Sequence, residues 1–426
     1  MAAKPYLTSL DLIETVKLNI SFPIAQNTFS DDDILKFANH ELFMSQVPSV
    51  LQYHEDYFSY REVVPLKAFK NRYDIPYRAI GNKLYAVYFQ DFNSRNLRPL
   101  AMVDPADKAY FQSGESTLVQ QFQGEPTPTL PIVDIGYTTS LLRFFYIESN
   151  QVVLSANIGN MINGSLVFVY YLRPNNLVID SRAATCTGFT KDITIDNTTL
   201  IAGNTFNLDT LQLIVGTDFA IGASSIATAT NLNAKINTTD NYTSTVTNNV
   251  VTISYEILDT PFYTNNIPAF GIEVQQAVIF DQVPANITNL SLIDFIKKKG
   301  AHRTYKFDQK LGKTAIAGNI VRFKYGDVPL DFEIGDYIAS QFECIIPQIP
   351  SDLHSLLAER TCARILESLG DQAGLQMADA KIAKLEAGQA SMINNRVEGS
   401  PRKVFNRNNL LRCAKGIGYG FGRTKV

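Results

Sequence analysis

The spacing of apolar residues changes twice along this chain, and that change limits the folds open to it. Near both ends, apolar residues fall three and four positions apart, which is the period of an amphipathic helix. Between about residues 63 and 349 they alternate over short runs, which is the period of a strand. Neither helical end can bury both of its faces alone. The order therefore predicts an α+β fold in which the two helical ends pack together as a discontinuous domain around a central antiparallel β region.

The N-terminal stretch contains two helix start signals. Thr8 precedes one apolar-periodic run, and Ser30 precedes three aspartates and a second run. Hydroxyl side chains at this position cap the free backbone N–H groups of a first turn, and acidic residues offset the positive end of the helix dipole. We therefore interpret Asp31–Asp33 as part of a cap and not as a metal site. Pro48 cannot donate a backbone hydrogen bond, which predicts a kink or a break there.

The C-terminal stretch predicts a helical hairpin followed by a basic arm. Gly370 supplies a helix end, and Asp371 can cap a second helix that continues to about Met392. Residues 399–426, the basic arm, contain seven Lys or Arg and no Asp or Glu. The whole chain has a net charge of −3, so these seven charges leave −10 on the remainder. An acidic body with a basic arm favours docking between subunits over the coating of nucleic acid, which would need a basic body.

The middle of the chain predicts strands, with two departures. Residues 185–254 hold seventeen Thr and neither Pro nor Arg, and their strand-like pieces flank one short helical pattern over 226–236. We interpret them as a β-rich insertion. Residues 291–298 have apolar side chains at helical spacing ahead of three lysines and Gly300, which predicts a helix. Asn163-Gly164 lies between two strand patterns and predicts a tight turn.

The sequence contains no recognisable catalytic or cofactor-binding motif. Gly312-Lys313-Thr314 lacks the first glycine of a phosphate-binding loop, and the glycines around residue 418 lack the third glycine of a dinucleotide fingerprint. The four histidines and four cysteines are scattered, so we expect structural histidines and buried single thiols. We predict no catalytic residues, no cofactor and no metal, and hence no enzyme. No apolar run is long enough for a membrane span.

Two pairs of neighbouring carboxylates could serve as an acid and a base, namely Asp104 with Asp107 and Glu55 with Asp56. Nothing in the sequence places either pair in a cleft. We therefore interpret both pairs as solvated surface groups.

Several segments of the sequence resemble the head-to-tail connector proteins of tailed bacteriophages. The segments are Ile34–Leu42 continuing to Pro48, Glu55–Phe58, Tyr170–Asn175, Leu369–Gln372 and Asn395–Lys403. The resemblance covers the two helical ends and parts of the β region, about half of the chain. Over these segments the chain is similar to the adaptor or ring proteins of short-tailed phages, the crAss-like phages among them.

The resemblance implies a structural virion protein of the neck, assembled in the host cytoplasm. It implies a closed homo-oligomeric ring, commonly twelvefold, that passes genomic DNA through its lumen without sequence-specific contact. The expected partners are further copies of the chain, the portal protein and other neck or tail ring proteins. The arm is expected to bind the portal or a neighbour through Arg396, Arg402, Lys403, Phe405, Arg407, Leu410, Leu411, Arg412, Lys415, Tyr419, Phe421 and Arg423.

These inferences divide the chain into four parts. They are a helical connector domain over 1–62 and 350–398, a β-rich domain over 63–184 and 255–349, the insertion over 185–254, and the arm over 399–426. A carbohydrate-binding or adhesin-like tail component is the alternative, because the insertion is rich in Thr and Asn; glycan binding by the insertion would favour it. A second alternative is a wall hydrolase, which a zymogram would detect. A DNA-binding regulator is a weaker alternative, because the body of the chain is acidic.

Overall fold

The structure is a computed structural model, and it describes residues 6–20, 29–67, 70–91, 97–104, 144–154, 164–208, 211–239, 242–257, 262–264, 270–272, 275–298, 303–311, 316–324 and 326–393. Within these residues, helices combine with several antiparallel sheets, so the predicted α+β class is confirmed. The basic arm and Asn163 of the predicted turn lie outside the described residues.

The helices begin where local chemistry favours a start. They run over Ser9–Asn19 (α1), Asp31–Glu41 (α2), Val47–Tyr53 (α3), Ser225–Ile236 (α4), His354–Leu369 (α5) and Gln372–Ile393 (α6). The hydroxyl of Thr8 accepts from the backbone N–H of Asp11 at 3.2 Å, and that of Ser30 accepts from Asp33 at 3.2 Å. Each aspartate also accepts from the backbone of its cap, so both predicted caps are confirmed as capping boxes.

The chain stays helical through Pro48, but the helix changes its winding just before it. Leu42–Gln46 form a π-helical turn between α2 and α3, and Pro48 lies in the first turn of α3. A π turn inserts an extra residue per turn and so shifts the hydrogen-bond register. The predicted break does not occur at Pro48, and the departure from α-helical winding lies in the turn just before it.

The strands form several sheets among the described residues. They run over Ser59–Pro65 (β1), Arg72–Asp74 (β2), Ala79–Asp91 (β3), Leu97–Pro99 (β4), Ala101–Met102 (β5), Phe144–Glu148 (β6), Gln151–Leu154 (β7), Gly164–Leu172 (β8), Asn176–Leu177 (β9), Ala183–Ile195 (β10), Thr205–Leu208 (β11), Leu211–Ile214 (β12), Thr243–Thr247 (β13), Val250–Tyr255 (β14), Phe262–Thr264 (β15), Phe270–Ile272 (β16), Gln276–Phe280 (β17), Leu292–Ile296 (β18), Thr304–Lys310 (β19), Ile316–Ala317 (β20), Ile320–Phe323 (β21), Tyr337–Ser340 (β22) and Glu343–Cys344 (β23).

The strand order places β10 in the middle of the largest sheet. That sheet runs β19-β18-β22-β10-β17-β21-β20, and β10 also pairs with β14 and β16. The other sheets have the orders β1-β8-β3-β4, β2-β7-β6-β5, β12-β11-β15 and β23-β9. A register shift between Cys186 and Gly188 lets β10 bend as it passes from one set of partners to the next. The Thr-rich insertion therefore begins along a strand that it shares with the body.

The insertion has a hydrophobic core of its own. Its buried side chains come from β10, β11, β12, α4, β14 and β16, and include Ile193, Phe206, Leu213, Leu232, Val251 and Phe270. The short helix predicted over 226–236 is confirmed as α4, which starts with Ser224 as its cap. This core draws on residues from Ile193 to Ile272, beyond the compositional limits of the insertion.

The helix predicted over residues 291–298 is wrong, because Leu292–Ile296 form the strand β18. β18 lies between β19 and β22, and Ile293, Asp294, Phe295 and Ile296 are all buried. A strand that is covered on both faces has no alternation of apolar and polar residues. Over five residues, its apolar positions satisfy the helical spacing equally well.

Helices from both ends of the chain share one hydrophobic core, the helical core. Its buried side chains include Leu12, Val16, Ile34, Leu35, Leu357 and Ile365. The backbone N–H of Ser9 donates to the carbonyl of Ile345 at 2.7 Å, and that of Leu7 donates to Nδ1 of His354 at 3.1 Å. The predicted packing of the two ends is thus confirmed, with α5 in contact with α1, α2 and α6.

Candidate interaction surface

The twelve residues proposed to bind a portal or a neighbour all lie outside the described residues, which end at Ile393. They are Arg396, Arg402, Lys403, Phe405, Arg407, Leu410, Leu411, Arg412, Lys415, Tyr419, Phe421 and Arg423. Their position in the sequence, directly after α6, directs attention to the surface that α5 and α6 present.

α5 is the buried member of the C-terminal hairpin. Leu356, Leu357, Cys362 and Ile365 are among its buried side chains. The helix ends at Gly370, whose φ of +75° lies in the left-handed region that favours glycine. The carboxylate of Asp371 then accepts from the backbone N–H of Gly374 at 3.0 Å. The hairpin therefore turns where the sequence predicts, for the local reasons expected.

α6 packs far less closely than α5. Among its described side chains only Ala378 is fully buried, while Leu375, Ile382 and Leu385 are half-buried against the helical core. Met377 remains 67% exposed. Most of the surface of this helix is therefore available to water or to another molecule.

A groove of about 390 Å³ opens where α2, α5 and α6 meet, and we call it the hairpin groove. Its apolar lining residues pack toward the helical core and are Ala363, Leu375 and Ile382. Its charged lining residues are the acidic Glu41, Glu367, Asp379 and Glu386 and the basic Arg360 and Arg364. Carboxylates thus outnumber guanidinium groups along an apolar base.

Both arginines of the hairpin groove are already paired. Arg360 lies 2.5 Å from Glu386 and 4.0 Å from Glu41, and Arg364 lies 2.7 Å from Glu367. The carboxylate of Asp379 has no ion pair and no hydrogen bond within the described part of the chain. The groove therefore retains negative charge that a cationic group could neutralise.

The sequence alone did not mark the hairpin groove as a site. Asp379 and Glu386 lie off the apolar face of the second helix, so their positions in the sequence predict only contact with water. Arg360 and Glu386 are 26 positions apart and lie on different helices, so no local pattern connects them.

A second group of charges, the Arg78 cluster, is buried between the sheets. Arg78 is 1% exposed, and its Nη2 donates to both carboxylate oxygens of Asp294 at 3.0 Å. The same nitrogen donates to Asp308 at 2.9 Å, and Nη1 donates to the amide oxygen of Asn175 at 3.0 Å. These residues lie near β3, β9, β18 and β19, so the cluster joins separate sheets.

The surroundings of the Arg78 cluster explain how its charges are tolerated. The guanidinium carbon lies 4.8 Å and 4.3 Å from the ring centroids of Phe307 and Phe342. Burial raises the pKa of Asp294, while Arg78 and three hydrogen-bond donors oppose that rise. Nε of Arg78 is buried without a hydrogen-bond partner among the described residues, but the guanidinium pairs with both Asp294 and Asp308, so we interpret the cluster as structural.

The histidines behave as structural side chains where the structure describes them. His354 is 1% exposed; because its Nδ1 accepts from Leu7, its Nε2 carries the proton and faces the carbonyl oxygen of Pro347 at 3.1 Å. His40 lies on the surface, 3.5 Å from Glu41. His302 lies outside the described residues.

The described cysteines are buried and unpaired by disulfides, as predicted. Burial raises the pKa of Cys186 and of Cys362 to about 12 and also raises that of Cys344. Thiols that stay protonated are poor nucleophiles and poor metal ligands. Cys413 lies outside the described residues.

The two candidate carboxylate pairs are only partly described. Asp56 and Asp104 are exposed, which agrees with solvated groups. Asp107 and the side chain of Glu55 lie outside the described residues. Among the side chains that the structure does describe, no group of three or more His, Cys, Asp or Glu is arranged to hold a metal ion.

Comparison with known proteins adds no family. No protein-family model matches the chain, and no curated protein matches its sequence. Within the described ranges, none of the helices is both long enough and apolar enough to span a membrane.

Proposed function

We propose that this chain is a non-enzymatic structural protein of the phage head-to-tail neck. In this proposal, identical subunits form a closed ring, commonly twelvefold, that docks to the portal and contacts further neck or tail rings. The basic arm makes the portal contact, and genomic DNA passes through the lumen without sequence-specific binding. The subunit is assembled in the host cytoplasm and functions in the virion.

The observation that carries the proposal is the way the C-terminal hairpin is built. α5 is fixed in a core that uses both ends of the chain, whereas α6 keeps most of its surface free and leads directly toward the arm. A subunit that binds another molecule through its C-terminus needs a firmly packed helix such as α5, an accessible helix such as α6 and a charged segment such as the arm. The resemblance of the helical segments to those of connector proteins supports the same assignment.

A closed ring also requires two different surfaces on each subunit that complement each other. The charge division between an acidic body and a basic arm provides such a pair on one chain. This division supports an assembly function more directly than it supports glycan binding by the insertion.

Removal of the arm tests the proposal. A chain that ends at Glu398 keeps the described core residues, so we expect a folded subunit with an unchanged circular dichroism spectrum. We expect it to lose co-purification with the portal protein, while the full chain is retained. Negative-stain images of the full chain with the portal should show a ring at the portal end. Normal recovery of the truncated chain with the portal would refute the docking role of the arm.

A further inference from the structure

We propose that the hairpin groove is a binding site for the chain's own basic arm, which occupies it before any partner is met. The inference concerns one isolated subunit and does not depend on the proposed ring or on the portal. The proposed occupant of the groove is a basic peptide segment with interspersed apolar residues.

The chemistry of the hairpin groove and that of the arm are complementary. The groove combines a base of Leu375 and Ile382 with an excess of carboxylates, and Asp379 has no partner in the described chain. The arm combines seven basic residues with apolar side chains such as Phe405 and Leu411. A segment with both features can cover the apolar base while its cations approach the acidic rim.

The length of chain after α6 makes the arm able to return to the hairpin groove. Glu386, the last α6 residue that lines the groove, precedes Ile393 by seven positions, or about 10 Å along the helix axis. An extended chain covers about 3.3 Å per residue, so a few residues beyond Ile393 suffice to span that distance. Residues 399–426 therefore lie within reach of the groove.

The covalent connection between α6 and the arm favours binding of the chain's own arm over binding of an arm from a second molecule. A short covalent connection of this kind supplies an effective concentration on the order of 1 mM. In a dilute solution of subunits, an arm from a separate molecule is present at far lower concentration. The intramolecular contact therefore forms first, and a partner that binds the arm must compete with the groove.

Trypsin cleavage of the full chain tests the contact without removing any part of it. The arm contains cleavage sites at Arg402 and Arg407, and an arm held in the hairpin groove is cleaved more slowly. In Glu367→Gln/Asp379→Asn two exposed carboxylates of the groove are lost. Each exposed charge contact is worth little alone, so we expect cleavage in the arm to become about three- to tenfold faster. Unchanged rates in this variant would overturn the proposal.

The control is Asp56→Asn, which removes an exposed carboxylate away from the groove and should leave the cleavage rate as in the natural sequence. Equal acceleration by Asp56→Asn would indicate a nonspecific charge effect and would also overturn the assignment. Cleavage should not change over a roughly hundredfold dilution, because an intramolecular contact does not depend on concentration. Loss of protection on dilution would instead assign the arm to a second copy.

A labelled peptide with the sequence of residues 399–426 gives a second measurement. We expect it to bind the chain that ends at Glu398 and to bind the full chain at least about tenfold more weakly, since the tethered arm competes with it. Equal binding to both chains would contradict the inference. Because no portal protein is present, this result is independent of whether the arm docks there.

Discussion

At the residue scale, the Arg78 cluster places a fully buried ion pair in the β region. Taking Arg78 and Asp294 out of water is expensive, and their attraction and hydrogen bonds do little more than offset that cost. Such a pair is weak support for net stability. The loss of one partner is different, because the other charge then stays buried without compensation.

Replacement of Arg78 by methionine should therefore destabilise the protein strongly. We expect Arg78→Met to lower the free energy of unfolding by about 3–5 kcal/mol, measured by urea denaturation. The double variant Arg78→Met/Asp294→Asn removes both the guanidinium and the Asp294 carboxylate. It should therefore recover part of the lost stability. A double variant that is less stable than Arg78→Met alone would contradict this account.

The same variant should show a pH dependence of definite sign. Burial already raises the pKa of Asp294 above its ordinary value of 3.8, and loss of the lowering effect of Arg78 raises it further. Such a carboxyl binds more protons in the folded state, so the free energy of unfolding falls as pH rises from the ordinary value through the raised one. Relative to the natural sequence, Arg78→Met should thus lose less stability near pH 4 than near pH 7.

Residues whose partners are close in sequence could be predicted, and those with distant partners could not. Thr8 and Ser30 find their capping partners three positions away, so their roles are visible in the sequence. Arg78 and Asp294 are 216 positions apart, and nothing near either residue indicates the other. Asp294 lay instead within a stretch predicted as a helix.

At the element scale, the turn between α5 and α6 depends on the conformation of Gly370. Its φ is +75°, and a Cβ added there would meet no atom within 4 Å. The cost of a side chain at this position is therefore conformational and not steric crowding by neighbours. A left-handed conformation costs an ordinary residue about 1–2 kcal/mol, partly offset by about 0.4–1 kcal/mol from a less flexible unfolded chain.

Gly370→Ala should consequently lower the free energy of unfolding by about 1 kcal/mol. Gly370→Asn should cost roughly half as much, since Asn adopts the left-handed conformation more readily. Urea denaturation of the two variants measures the difference. Equal losses for Ala and Asn would mean that the backbone conformation is not the cause.

Elements with distinctive local signals were predicted correctly, whereas the short buried strand β18 was predicted as a helix. α5 and α6 have long apolar periods and a glycine end, so their existence follows from the sequence. β18 has five residues, and its pairing with β19 and β22 decides its conformation. That pairing is a tertiary effect that no local spacing reveals.

At the scale of the whole molecule, the two ends of the chain depend on each other. α1 and α2 bury their apolar faces against α5, which follows them by more than three hundred residues. The β region and the insertion, which lie between these helices in the sequence, form hydrophobic cores of their own. The sequence predicted this arrangement because each end was apolar on one face only, but it could not locate the hairpin groove that the packing creates.

The charge division of the whole molecule leads to the last prediction, which concerns docking to the portal. Arg402→Ala/Lys403→Ala removes two of the seven positive charges of the arm and leaves the described body unaltered. Exposed charge contacts contribute about 0.2–1 kcal/mol each, so binding should weaken by about twofold to thirtyfold in total. Salt screens such contacts, so the affinity of the variant should also fall less steeply as salt is added. Titrations at several salt concentrations measure both effects, with Asn408→Ala/Asn409→Ala as the uncharged control in the same segment. A salt dependence as steep as that of the natural chain would exclude charge pairing by these two residues.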